Sequence, residues 1–152
     1  MQRAADPSHD DAAASPRREW RIGAYAICRR NDDVLVVRAS SRTQVPGRWF
    51  LPGGGLGFGE EPSAAALREL TEETGLTGRA PRLVCALSEV HRRISDDEVF
   101  SIRLVYGVDV ADGELVHERD GTSDEARWVP RGELAALGAM PYVLRALELS
   151  EK

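Results

Sequence analysis

The sequence predicts one mixed domain, α/β or α+β, and three observations lead there. Residues 20–28 carry apolar side chains on both alternating faces, the pattern of a central strand. Residues 63–74 are rich in Ala, Leu, Arg and Glu and lie between Pro62 and Gly75, the limits of a helix. Two later strand-like runs, 82–90 and 99–110, precede a helical C-terminus. That order gives a mixed sheet with helices on both sides.

Each element follows in turn. Residues 1–18 are polar, with no periodic apolar pattern, and read as a mobile tail ahead of a single domain spanning 19–152. In the first strand Ile22, Ala24, Ala26 and Cys28 alternate with Gly23, Tyr25 and Ile27. Asn31, Asp32 and Asp33 signal a turn, and residues 34–38 return as a second strand, a hairpin. Residues 40–48 form a polar loop, and Trp49, Phe50 and Leu51 a short strand leading to Pro52 and a Gly-rich loop. Pro62 suits the first helical turn, where its missing N–H removes no bond. Gly75 suits the helix end, where a left-handed residue is often needed. After the helix, residues 91–98 connect the two long strands, and 111–124 form another polar loop. Residues 127–129 read as a short strand, then 130–137 and 142–149 as helices separated by Gly138 and Pro141.

The helix carries the chemistry. At 3.6 residues per turn Glu69, Glu72 and Glu73 fall within about one 100° arc, with Arg68 beside it. Leu67, Leu70 and Thr74 point the other way. Like charges so placed repel by about 0.2–0.5 kcal/mol per adjacent pair. A hard cation that prefers oxygen ligands turns that repulsion into binding. The preceding run, residues 53–59, has few side chains, so its backbone can approach a ligand. It is not a P-loop, because Glu60 and Glu61 stand where Lys and Ser or Thr are required.

Gly54, Glu60, Arg68, Glu69, Leu70, Glu72, Glu73, Gly75 and Leu76 stand at fixed spacings. They match the G-x5-E-x7-R-E-U-x-E-E-x-G-U signature, and the chain resembles the Nudix hydrolases, MutT-like proteins. Seven of those positions are polar or Gly. With each residue type at about 7%, a chance match is on the order of one in 10^8, so the pattern is specific. The resemblance spans roughly residues 20–150, though only the signature is sharp. It implies an α/β/α sandwich with a mixed β-sheet. It further implies metal-dependent hydrolysis of a phosphoanhydride bond in a nucleoside diphosphate linked to another moiety. Such substrates include nucleoside triphosphates, ADP-ribose and sugar nucleotides.

Carried onto this chain, the resemblance makes Glu69, Glu72 and Glu73 metal ligands, with the Gly53 carbonyl as a further oxygen donor. The expected ion is Mg²⁺, with Mn²⁺ as the alternative. Arg68 is expected to orient a neighbouring carboxylate, and Glu60 to support the metal shell or assist water. An outer carboxylate is expected from a later loop. Glu98, Glu114, Glu118, Asp120, Asp124 and Glu125 are the candidates, and Glu125, at the junction before Trp128, is preferred. The general base is left open among the carboxylates. Trp49, Phe50, Phe58 and Tyr25 could stack a base, with core packing as the preferred reading of each. Arg38, Arg42, Arg48, Arg92 and Arg93 could reach phosphates, with solvated surface as the plain reading. Ala39 and Ala139 fall where the oxidised-guanine-sanitising subfamily carries polar base-reading groups, which argues against that activity. His9, His91 and His117 lack metal spacing and read as exposed loop residues.

The chain has 152 residues, and its hydrophobic content of 42% suffices for one core. A net charge of −5 argues against broad nucleic-acid binding. Cys28 and Cys85 lie in apolar runs and read as buried thiols of a reducing compartment. No apolar run reaches membrane-spanning length and no hydrophobic signal region opens the chain, so no membrane partner and a cytoplasmic location are expected. The expected partner is a small nucleotide, with the protein a monomer or homodimer. The competing function class is a Nudix-fold module that binds a nucleotide without cleaving it. Retention of every signature carboxylate weighs against it.

Overall fold

The computed structural model describes residues 15–117 and 119–152. The strands are β1 (Arg18–Ile27), β2 (Arg29–Arg30), β3 (Asp33–Ala39), β4 (Trp49–Phe50), β5 (Gly53–Gly55), β6 (Gly78–Arg92), β7 (Glu98–Val110) and β8 (Ser123–Pro130). The helices are α1 (Pro62–Thr74), α2 (Leu134–Leu137) and α3 (Pro141–Leu149), with a 3₁₀ turn at Arg131–Glu133. One sheet runs β5-β1-β7-β6. It is mixed: β1 is parallel to β7 and antiparallel to β5, and β6 is antiparallel to β7. In the second sheet β3 pairs with β2, β4 and β8, all antiparallel.

Because side chains alternate along a strand, β1 feeds two cores. Tyr25 and Ile27 pack with Val105 of β7 and with Val143, Ala146 and Leu147 of α3. Ala24, Ala26 and Cys28 pack instead with Ala65, Ala66 and Leu70 of α1. The sheet thus lies between α1 on one side and α2 with α3 on the other, as expected. Leu70 and Leu147 are essentially fully buried, each contributing roughly 1.5–3 kcal/mol of apolar transfer. Helix α1 begins at Pro62 and ends at Gly75, whose φ of 75° is left-handed and whose N–H donates to the Thr71 carbonyl.

Several boundaries differ from the sequence reading, for identifiable reasons. The opening residues of the Gly-rich loop form β5, because hydrogen bonding to β1 organises a stretch with no side-chain pattern. β6 starts at Gly78, ahead of the expected 82, and its register shifts between Arg79 and Arg82. Pro81 has no N–H for the ladder, so the strand bulges there and its local signal breaks. β8 runs over eight residues, because β3 pairs with it from Asp33 to Ala39. Pro130 ends that strand instead of opening a helix. Much of the expected tail lies outside the described residues. Within them, Arg17 N–H donates to Asp97 Oδ1 at 3.0 Å, and β1 already includes Arg18.

Candidate active site

The signature converges where α1 passes β5. Gly53 N–H donates to Glu73 Oε2 at 2.9 Å, tying the helix to the sheet edge. Glu73 is only 4% exposed, so a carboxylate is held beneath the cleft by a backbone donor. Gly54 allows an equally close approach. A Cβ there would lie 2.6 Å from Glu69 Oε1, so only glycine leaves room for that carboxylate. The spacing between Gly54 and Glu69 thus reflects a physical contact between β5 and α1.

Arg68 binds the other acids together. Its Nε and Nη2 donate to Glu60 Oε1 and Oε2 at 2.7 and 3.0 Å, a bidentate pair. Its Nη1 donates to Glu69 Oε1 and Glu72 Oε2, both at 3.1 Å. Glu60 also accepts from Gly57 N–H at 2.8 Å, closing the loop before α1. The Arg68 guanidinium, and then the Gly57 N–H, lower the Glu60 pKa to about 2. The same contacts, led by Glu60, raise that of Arg68. Arg68 therefore remains a cation while Glu60, Glu69 and Glu72 surround it.

The side chains gathered here suit a hard cation: they are carboxylates, without sulfur or imidazole. The room left by Gly54 lies on the same side as Glu69. Among the described residues, however, no three His, Cys, Asp or Glu side chains converge on one point. Arg68 engages Glu69 and Glu72, while Glu73 accepts from the Gly53 N–H. Arg68 takes one oxygen of Glu69 and one of Glu72, so a cation on these acids would share their carboxylates with the guanidinium.

A cleft of about 790 Å³ opens beside Glu69, Glu73 and the β5 backbone. That lies within the roughly 300–1,000 Å³ usual for small-molecule sites. Tyr25, Phe50 and Leu51 line it. Burial raises the pKa of Tyr25 and Tyr142, so both phenols keep their protons at neutral pH. Ala39 lines the cleft and Ala139 is buried, so neither supplies a polar base-reading group. Trp49 is a core residue, with the Arg38 and Arg127 guanidiniums 5.9 and 5.0 Å from its ring centroid. Phe58 is wholly exposed before α1.

The outer carboxylate expected at Glu125 is not brought to this site. Glu125 lies opposite Arg38 in the β3–β8 register and pairs with Arg38 at 2.9 Å and Arg127 at 2.5 Å. It is absent from the cleft wall. Asp124 pairs with Arg38, Asp120 with Arg42, and Glu98 with Arg18 and Arg92. Glu118 and His9 lie outside the described residues. The carboxylate from outside the signature that does line the cleft is Glu89 of β6, with Arg103 and Arg21. Sequence reasoning passed over all three, since they sit inside strands with no motif around them. Only cross-strand register could have singled them out. His91 also lines the cleft, whereas His117 accepts from Ala126 N–H at 3.1 Å.

Comparison with known proteins bears on the family and the fold. The NUDIX domain family matches residues 18–147, and the chain belongs to that family. It is similar to Nudix hydrolase 25 of Arabidopsis thaliana, 54% identical over 50 residues, covering 33% of this chain and 28% of that protein. It is also similar to diphosphoinositol polyphosphate phosphohydrolase 3-alpha of Homo sapiens, 47% identical over 55 residues, covering 36% and 32%. The match spans about a third of the length of these curated relatives. Among solved structures, the MutT NUDIX hydrolase of Burkholderia pseudomallei superposes with a TM-score of 0.72 at 22% identity, covering 86% of this chain and 97% of that one. The NUDIX domain of Shewanella oneidensis NrtR, complexed with ADP ribose, has a TM-score of 0.69 at 18% identity, covering 94% and 92%. At these identities the structural likeness establishes the fold.

Proposed function

We propose that the protein is a metal-dependent hydrolase of a phosphoanhydride bond in a nucleoside diphosphate linked to another moiety. The observation that carries this reading is the junction of α1 and β5. There Glu69 and Glu73 line a ligand-sized cleft, Arg68 bridges Glu69 to Glu72, and the backbone opposite is kept free of side chains by Gly53 and Gly54. Names of relatives as hydrolases and phosphohydrolases support it. The NrtR domain solved with ADP ribose supports a nucleotide ligand.

Glu69, Glu72 and Glu73, with a β5 carbonyl such as that of Gly53, would hold Mg²⁺ or Mn²⁺. Such an ion supplies charge neutralisation at phosphate and lowers the pKa of water. The residues of the chain do the positioning. Gly53 N–H fixes Glu73, so that acid stays close to the β5 backbone. Arg68 holds Glu60, Glu69 and Glu72 in register. In the overall reaction water forms a new P–O bond and the bridging P–O bond breaks. The bridging oxygen leaves with the other phosphate, and the protons of the water pass to solvent. The test is a panel of nucleoside triphosphates, ADP-ribose, dinucleoside polyphosphates, NADH and sugar nucleotides, assayed with and without Mg²⁺. Cleavage of one class only with metal is expected. Binding without cleavage across the panel would instead select the non-catalytic reading.

A further inference from the structure

Gly53 donates the hydrogen bond that fixes Glu73, yet it has no side chain of its own to pack. β5 lies at the edge of its sheet, paired with β1. Its placement therefore depends on the chain just before it. Leu51 and Pro52 join β4 to β5, and both are fully buried. Pro52 has no N–H, and its carbonyl accepts from Ala26 N–H of β1 at 2.8 Å. Leu51 does carry an N–H, and a buried one needs an acceptor. That acceptor is the Tyr142 hydroxyl of α3, 3.2 Å away and 91 residues further along the chain.

Tyr142 makes a fixed point. It is 6% exposed, and its ring meets that of Tyr25 edge-on, with centroids 5.5 Å apart, and that of Phe50 at 6.2 Å. The Arg103 guanidinium sits 4.5 Å from the ring centroid, and its Nη2 donates to Glu89 Oε1 at 2.8 Å. The ring is thus held from β1, β4 and β7. Tyr25, Phe50 and Arg103 line the cleft, whereas Tyr142 is not among the residues that do. Its route to the site runs through backbone: Tyr142 hydroxyl to Leu51 N–H, then two residues on to Gly53 N–H and the Glu73 carboxylate.

We infer that Tyr142 is a positioning residue. Its hydroxyl anchors the backbone of residues 51–53, and that backbone holds Glu73 where the cation binds. The inference rests on the hydrolase reading, in which Glu73 is a metal ligand. Without the hydroxyl, Leu51 N–H is left in the core with no acceptor, and the segment relieves this by shifting. The Gly53 donor shifts with it. Disturbing the outer support of a metal ligand lowers affinity or activity by roughly 10–100-fold, and the lower figure suits a residue that acts through two backbone donors.

The test is Tyr142→Phe in the whole chain, with Val143→Ala as control. Val143 is a fully buried apolar neighbour on α3. Thermal melts titrated with Mg²⁺ alone give the concentration at half of the maximal rise. Tyr142→Phe should raise that concentration about tenfold. Val143→Ala should lower the melting temperature by opening a cavity, yet leave the Mg²⁺ midpoint where it was. On the nucleotide that wild type cleaves, Tyr142→Phe should lower kcat about tenfold, with KM within about twofold. An unshifted Mg²⁺ midpoint in Tyr142→Phe, or an equal shift in Val143→Ala, would overturn the inference. If wild type cleaves without a melt response, the kcat of the two variants decides in the same way. If wild type neither responds to Mg²⁺ nor cleaves any nucleotide, the hydrolase reading fails and the inference with it. Should Tyr142→Phe not fold, amide exchange in wild type decides. Leu51 and Gly53 N–H should open as one unit, with protection within about threefold of each other. A protected Gly53 beside a freely exchanging Leu51 would reject the anchor.

Discussion

Glu73 and Glu60 show how one residue type takes two positions in the same cluster. Glu73 is buried and accepts from a backbone N–H, whereas Glu60 is clamped by Arg68 near the surface. Glu73→Gln keeps an acceptor for Gly53 and removes a charge, so the fold should survive. Turnover should fall by a factor on the order of 10²–10³, the scale for losing one electrostatic stabiliser. Steady-state rates within about twofold of wild type, small beside that loss, would remove Glu73 from the reaction. Glu60 answers to pH instead. Its pKa lies at about 2, below the ordinary 4.5, so its contribution to stability is full above 4.5 and lost as pH falls from there towards 2. The gap in urea midpoint between wild type and Glu60→Gln should therefore be widest near neutral pH and narrow through that window. High salt should shrink it, because the Arg68 pair is partly exposed. A gap independent of pH would mean that the ion pair contributes nothing.

At the scale of elements, the site depends on how closely β5 meets α1. Gly54→Ala would place a methyl 2.6 Å from Glu69 Oε1. The obstacle is the end of a flexible side chain, so Glu69 can swing away and the fold should hold to within about 1 kcal/mol. The displaced carboxylate should lower turnover at least about tenfold, the lower end for disturbing the support of a metal. Parallel urea unfolding and rate measurements separate the two effects. A loss of several kcal/mol with full activity per folded molecule would show that Gly54 serves packing alone. The limits of α1 were readable from Pro62 and Gly75, because helix ends depend on local backbone preferences. β5 was not, since three glycines carry no side-chain periodicity and become a strand only by pairing with Gly23, Ala24 and Tyr25. Glu125 shows the reverse problem. Its place before Trp128 suggested a ligand, yet the β3–β8 register sets it against Arg38.

For the molecule as a whole, the proposed function makes the folded state a cation receptor, with the acids gathered at one junction. Binding to the native state alone stabilises it by linkage, about 2.7 kcal/mol at 100 times the dissociation constant. Thermal melts should therefore rise with millimolar Mg²⁺, and the rise should be smaller in Glu73→Gln. No change in wild type would mean that these acids do not assemble a cation site without substrate.

By itself the sequence determined the mixed fold class, the limits of α1, the arc of Glu69, Glu72 and Glu73 with Arg68 beside it, and the family signature. These follow from local rules, which bind residues a few positions apart through helical period, strand alternation and backbone preference. Only the tertiary structure decided that Gly53 holds Glu73 and that Glu125 turns to Arg38. It alone brought Arg21, Glu89 and Arg103 to one cleft. Those three stand on β1, β6 and β7, and their meeting depends on the register of strands far apart in the chain. Register is set by the burial of whole faces against α1 and α3, a property that no short stretch of residues carries.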